Sequence, residues 1–326
     1  MAQKIKIIAN PIAGAGRARK FAERLKGEFG RHHIDSEIKF TAKGGDAYEI
    51  ALNHNKPAPI ICLGGDGTVN EVINGIMNNH RFSSNNRPPL GVIPFGSGNV
   101  IAKELSLKRN TKHFLHLYKN NLMRYLDVGR IHLPQLSKKR YFISMAGIGF
   151  DAEVARNYHL ERNGSSRPMA HILNYVPHAL QTLSKHKMPK ITIEIDGKEV
   201  AHNASFIQVA NVRSYGGPFV MVNNAVFDDG YLDVMWFKGK SPINILLYYT
   251  LAFLETASPV LCSQRRAKKI HLRSDEEVQV QIDGDYCGPL PATIEIIPKG
   301  IQVYTPLHLP ASMDLISGYS GKLKAR

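Results

Sequence analysis

The residues best suited to chemistry in this chain lie between Leu63 and Glu71. There an apolar run breaks into Gly64-Gly65-Asp66-Gly67-Thr68, and Val69, Val72, Ile73 and Ile76 follow at helical spacing. The pattern predicts a buried strand, a tight loop and an amphipathic helix. Thr68 with Glu71 three residues later reads as a capping box, so the helix is expected to open where the glycines end. A helix N-terminus with bare N–H groups and no Cβ atoms in the way is an anion site, most often for phosphate. A carboxylate beside such a cradle would repel its ligand unless a cation lies between them. Asp66 therefore suggests a nucleotide phosphate with Mg2+. The same residues also suit a plain strand-to-helix turn with Asp66 as a second cap, and spacing alone leaves that alternative open.

Other loops repeat the plan. A strand over Lys4 to Ala9 runs into Asn10-Pro11-Ile12-Ala13-Gly14-Ala15-Gly16 and a helix from Arg17 to Gly27. Ile34 to Phe40 ends in Thr41-Ala42-Lys43-Gly44-Gly45-Asp46 before a helix over Ala47 to Asn53, and Leu90 to Pro94 leads through Phe95-Gly96-Ser97-Gly98-Asn99 into a helix from Val100 to Leu105. Strand-to-helix units in series predict a parallel sheet with helices on its faces. Their loops should gather at its carboxyl edge, where ligands of such sheets bind. Near Asp127 the texture changes to alternating segments as far as Gly300, with turn signals at Asp196-Gly197 and Asp229-Gly230. This predicts a mostly antiparallel second domain with helical insertions near Ala152 to Lys187 and Pro242 to Leu254.

Composition narrows the classes. With 326 residues and 43% hydrophobic content the chain can build two domains with real cores. A net charge of +15 and pI near 9.7 favour an anionic partner: nucleic acid, an anionic membrane surface or a phosphorylated substrate. No nucleic-acid module or aromatic stacking array is present, so nucleic acid is not expected. Cys62, Cys262 and Cys287 lack metal-ligand spacing and read as reduced thiols of a cytoplasmic protein. The N-terminus lacks the apolar stretch of a signal peptide. The run from Ile243 to Leu254 is shorter than the ~20 residues of a membrane span and is expected to be a buried helix.

Taken together, the ordered motifs resemble the diacylglycerol kinase family in its bacterial soluble form, within the larger group that includes sphingosine kinases. They are Asn10-Pro11 with Gly14, Gly64 to Thr68, Pro94 with Gly96 to Asn99, Gly147-Ile148-Gly149-Phe150-Asp151-Ala152-Glu153, Asp229-Gly230-Tyr231-Leu232-Asp233-Val234 and Ile282-Asp283-Gly284-Asp285. The resemblance covers nearly the whole chain. It implies an α/β N-terminal domain of the NAD kinase type over residues 1–126, with 301–326 returning to it. A β-rich lipid-substrate domain over 127–300 would complete the fold, with the active site in the cleft between them.

The activity so implied is ATP-dependent phosphorylation of a primary hydroxyl on diacylglycerol or a related lipid, with Mg2+. The protein would be cytoplasmic and attached peripherally to an anionic membrane. Arg265-Arg266-Ala267-Lys268-Lys269 and Lys185 to Lys190 are candidate contacts there. Backbone amides at Gly14, Gly64, Gly65, Gly67, Thr68, Gly96, Ser97, Gly98 and Asn99 would hold the nucleotide. Asn10, Pro11, Thr41, Asn70 and Glu71 are the other contacts carried over. Asp283 matches the aspartate of the family's Asp-Gly-Glu motif and is the expected general base. Asp285 stands where that motif has glutamate, in a supporting role. Asp66 is the candidate carboxylate for Mg2+, and a structural Mg2+ would use Asp229 with carbonyls of Val226 and Tyr231. Two departures bear on the acceptor: Val100 replaces a family aspartate, and Ser97 is the residue that sphingosine kinases carry. A sphingoid-base kinase, a NAD kinase and a non-catalytic nucleotide- or lipid-binding regulator are the competing readings, and oligomeric state is left open.

Overall fold

In the computed structural model, which describes residues 4–136, 139–162, 188–215, 219–238, 242–253 and 262–307, the early apolar runs form parallel strands. These are β1 (Ile5–Ala9), β2 (Ser36–Phe40), β3 (Ile60–Gly64) and β4 (Leu90–Pro94), in the order β4-β3-β1-β2. The middle strands need no apolar alternation because the helices α1 (Arg17–Arg31), α2 (Asp46–Leu52), α3 (Asp66–Asn78), α4 (Val100–Glu104) and α5 (Thr111–Lys119) pack onto the sheet. Phe21, Leu25 and Phe29 anchor α1 in that core.

From β5 (Met123–His132) onward the pairing turns antiparallel. The strands are β6 (Arg140–Phe142), β7 (Met145–Ile148), β8 (Ile191–Ile195), β9 (Lys198–Ala210), β12 (Leu232–Lys238), β13 (Ser263–Ala267), β14 (Lys269–Arg273), β15 (Gln279–Ile282), β16 (Asp285–Pro289) and β17 (Ala292–Tyr304). Separately, β10 (Ser214–Tyr215) pairs antiparallel with β11 (Phe219–Val220). Among the described residues the helices α6 (Phe150–Arg162) and α7 (Pro242–Phe253) accompany these strands. The long β17 ties the halves together: it pairs antiparallel with β5 along its length, and its Val303 lies beside Leu90 of β4 in parallel. One continuous sheet therefore runs from one half to the other.

Two expectations change. α3 starts at Asp66, with Gly65 as its N-cap and no side-chain cap, so Thr68 and Glu71 form no capping box. Glu71 instead accepts from the amides of Gly45 (3.0 Å) and Ala47 (3.2 Å), capping α2 across space. α7 is buried on one side only. Ile245, Tyr248 and Ala252 pack inward, while Ile243, Leu246 and Leu247 are exposed. Among the described residues no helix is long and apolar enough to cross a membrane. Lys185, Lys187, the irregular stretch 164–168, Gly216 to Pro218 and the tail from 308 lie outside the described residues.

Candidate active site

The glycine loops meet at the carboxyl edge of β1, β3 and β4. The amide of Asn10 donates to Leu63 O (2.9 Å) and that of Phe95 to Gly64 O (2.8 Å), which sets the three loops side by side. A Cβ on Gly14 would lie 2.9 Å from the Phe95 ring, and one on Gly96 would lie 2.5 Å from Gly65 Cα. Only glycine backbones approach so closely. Asn99 closes its own loop by accepting from Gly96 N (2.8 Å) and donating to Gly96 O (2.6 Å), while Ser97 stays exposed. Thr68 fills the space beside Gly64, and Thr41 is half-buried where its amide donates to Ala9 O (3.0 Å).

Asp66 faces inward from the first turn of α3. Its Oδ1 accepts from Val100 N (2.7 Å), so it caps α4 from another element, a version of the capping alternative that spacing left open. Burial pushes its carboxyl above the ordinary value, and the amides of Val100 and Asn99 pull it back. Sequence reasoning missed two cations here. Arg17 donates to Gly14 O (2.7 Å), and Arg109 donates to Pro94 O (2.7 Å) with its guanidinium 4.6 Å over Phe95. Burial and the nearby Arg17 both disfavour the charge of Arg109, as in a corner suited to an anion. Arg17 directly follows its glycine loop but reads as an ordinary first residue of a helix, and Arg109 lies fifteen residues beyond Pro94, so neither left a spacing signal.

One turn beyond Asp66, α3 meets the other half. Asn70 donates to Asp283 Oδ2 (2.7 Å), and the same oxygen accepts from Ile143 N (3.0 Å). Asp283 Oδ1 accepts from Ser144 N (2.9 Å) and Met145 N (3.0 Å). Burial pushes this carboxyl upward, while the amides and Asn70 favour its charged form. Every acceptor position of the carboxylate is filled, so in this arrangement it clamps the two halves. A proton can reach it only if a donor withdraws, and Asn70 is the side-chain donor. Asp283 (φ +48°) and Gly284 (φ +90°) form the two-residue turn between β15 and β16, where left-handed backbone suits such a hairpin. Asp285 points elsewhere: it is exposed, lies 3.6 Å from Arg140, and borders a cleft of about 270 Å³ with Tyr48, Asn70, Glu71, Asn74 and Lys139.

The seam continues along α3. Asn74 donates to Tyr141 O (2.8 Å) and accepts from Tyr141 N (2.9 Å), and Asn78 donates to Lys139 O (3.3 Å). A ladder of asparagines at four-residue spacing thus reads the edge of β6. Asn74→Ala should leave a buried amide without its partner and lower unfolding stability by about 2–3 kcal/mol, as measured by urea denaturation. A loss below about 0.5 kcal/mol would show that the seam does not hold the halves.

In the loop carrying Asp229, expected from the resemblance to hold Mg2+ with carbonyls of Val226 and Tyr231, the carboxylate is engaged by protein groups. Asp229 Oδ1 accepts from Tyr231 N (3.0 Å), Oδ2 is paired with the Arg266 guanidinium, and Arg266 lies 4.3 Å over the Tyr231 ring with Lys268 on the same ring. Mg2+ demands a near-octahedral set of oxygens, so Asp229 could serve as a ligand only after releasing Arg266; burial raises the Asp229 carboxyl, and the Asp127 and Asp228 carboxylates lie close enough to raise it further. Val226 is exposed at the loop's edge. Among the described residues no group of three or more His, Cys, Asp or Glu side chains is placed to hold a metal.

Comparison with known proteins agrees with this layout. Residues 4–131 match the family described as diacylglycerol kinase catalytic domain, and residues 144–305 match the YegS C-terminal NAD kinase beta sandwich-like domain. A diacylglycerol kinase of Mycobacterium tuberculosis is 28% identical over 94% of this chain and 96% of its own, and one from Bacillus subtilis is 26% identical over 96% and 99%. A solved Bacillus anthracis structure titled as a diacylglycerol kinase superposes with a TM-score of 0.69 at 22% identity, covering 94% of this chain and 97% of its own, a likeness of fold.

Proposed function

We propose that this chain, which belongs to the diacylglycerol kinase family and is a kinase with an alcohol acceptor, transfers the γ-phosphate of ATP to a primary hydroxyl of diacylglycerol or a related lipid. One observation carries the reading. Amide-lined loops of the α/β half meet at one edge, and the helix leaving the central loop is bonded within a turn to Asp283 of the other half. Phosphoryl transfer depends chiefly on holding the donor, neutralising its charge and aligning the attacking oxygen.

We assign the donor to the loops at Gly14, Gly64 to Thr68 and Gly96 to Asn99, beside Asn10, Pro11 and Thr41; the Gly96 and Asn99 amides, engaged by Asn99 Oδ1 and Asp66, shape their loop rather than bind phosphate. Arg17 and Arg109 add positive charge at that edge. Glu71 serves indirectly, by holding the loop between Thr41 and Ala47. Mg2+ arriving with the nucleotide would offset phosphate charge, and Asp66 is the carboxylate in the cradle suited to hold it directly or through water. For the acceptor, the lipid hydroxyl takes the place of the Asn70 amide as donor to Asp283 Oδ2, and that carboxylate receives its proton as the new O–P bond forms. Asp285 borders the cleft without touching the reacting oxygen.

In this reading residues 1–126 with 301–326 bind the nucleotide and 127–300 bind the lipid. The enzyme meets its substrate at an anionic bilayer surface. Exposed Arg265 and Lys269 suit that encounter, at about 1 kcal/mol for each well-placed cation.

The test is an acceptor panel of diacylglycerol, monoacylglycerol, sphingoid base, ceramide and NAD with radiolabelled ATP, each product identified by mass. Label in a chloroform-soluble phosphate monoester from diacylglycerol is expected. Label in NAD, or in no lipid at all, would overturn the proposal.

A further inference from the structure

Behind the hairpin that carries Asp283 lies a buried polar cluster that the proposed chemistry does not use. Asp151, in the first turn of α6, accepts from Gln281 Nε2 (2.6 Å) and from the Tyr215 hydroxyl (3.2 Å). Gln281 is fully buried in β15, and its other amide atom, Oε1, accepts from Gly284 N (2.7 Å) in the Asp283-Gly284 turn. This orientation is the one that satisfies both ends, because a carboxylate can only accept and an N–H can only donate. The motif residues before Asp151 make room for the arrangement. A Cβ on Gly147 would lie 2.2 Å from Asp151 Oδ2 and 2.6 Å from Gln281 Nε2, and Gly149 turns the chain into α6 with φ +93°.

We infer that Asp151 is a positioning residue: through Gln281 it holds the Gly284 amide, and so fixes the turn on which Asp283 stands. The charged carboxylate makes the stronger bond to Gln281, so the turn is held tightly only while Asp151 is ionised. Among the described residues the titratable groups facing it are Tyr215 from β10 and Tyr249 from α7, while β15 presents Gln281 and β7 presents Gly147. Burial raises the Asp151 carboxyl to about 6, the Gln281 and tyrosine hydrogen bonds opposing the shift. Tyr249 stays neutral throughout, its ionisation pushed well above its ordinary value by burial and by Asp151. The hold on the turn is therefore complete above that pH and weakens as pH falls through it.

This inference rests on the kinase reading for its effect on rate, but the turn itself can be observed without catalysis. Amide exchange at Gly284, read by NMR as a protection factor, is expected to fall in the wild-type protein as pH drops through about 6. In Asp151→Asn it should be low at every pH. With saturating lipid, Asp151→Asn should lose about tenfold in kcat, keep its KM for ATP and lose the part of the acidic limb that lies near pH 6, leaving only the limb that Asp283 sets as general base. Tyr215→Phe, which removes one stabilising donor, should keep the limb and move it to higher pH. It also serves as the readout if the Asn variant does not fold. Burial of a charge disfavours the folded state, so Asp151→Asn should melt no lower than wild type at neutral pH. Unchanged Gly284 protection in the Asn variant, or an acidic limb unmoved by Tyr215→Phe, would overturn the inference. If no lipid is phosphorylated, the kinase reading falls while the exchange measurement still judges the relay.

Discussion

Asp283→Asn is expected to lower turnover about a thousandfold while leaving ATP affinity within about threefold. The substitution keeps the shape of the side chain and replaces one acceptor oxygen by a donor. Whichever way the new amide turns, its NH2 faces N–H groups: those of Asn70 and Ile143, or those of Ser144 and Met145. Donor against donor removes the clamp between the halves, and the group that would take the proton of the lipid hydroxyl goes with it. The loops proposed to hold the nucleotide belong to the α/β half and do not bond to Asp283, so binding of ATP should survive. Single-turnover phosphate transfer and ATP calorimetry on the same preparation separate the two effects. A variant within about tenfold of wild type would remove Asp283 from the chemistry.

The second large effect is expected at Gly96. A methyl there would sit 2.5 Å from Gly65 Cα and 3.1 Å from Asn99 Oδ1. The first obstacle is backbone, which cannot swing aside as the end of a side chain can. Gly96→Ala should push the two glycine loops apart by on the order of 1 Å and raise KM for ATP about a hundredfold. Gly44→Ala is the matched control, since a Cβ at Gly44 meets nothing within 4 Å. Steady-state kinetics on both variants decides: equal KM values would mean that the closeness of the loops is incidental to nucleotide binding.

The scaffold was legible because its signals are local. Runs such as Ile60–Gly64 and Leu90–Pro94 are apolar at successive positions and lead into glycine loops, which reads as a buried parallel strand followed by a loop. What escaped was set by contacts distant in the chain. Asn70, Asn74 and Asn78 have the spacing of a solvated helix face, and only the arrival of Lys139 to Tyr141 makes that face a seam. Glu71 looked like half of a capping box because Thr68 precedes it, but its partners lie in the preceding helix. Asp229-Gly230 reads as a turn, and nothing in its spacing shows that Arg266, from another strand, pairs with the carboxylate. The apolar run of α7 carries no mark to say which of its leucines face water.

The account depends most on separate loops gripping one triphosphate, and amide exchange during titration with a non-hydrolysable ATP analogue in the presence of Mg2+ tests this directly. Protection is predicted to rise together, at one half-saturating concentration, in the segments around Gly14, Gly64 to Thr68 and Gly96 to Asn99. Protection confined to one of these segments, or appearing at widely different analogue concentrations among them, would contradict it.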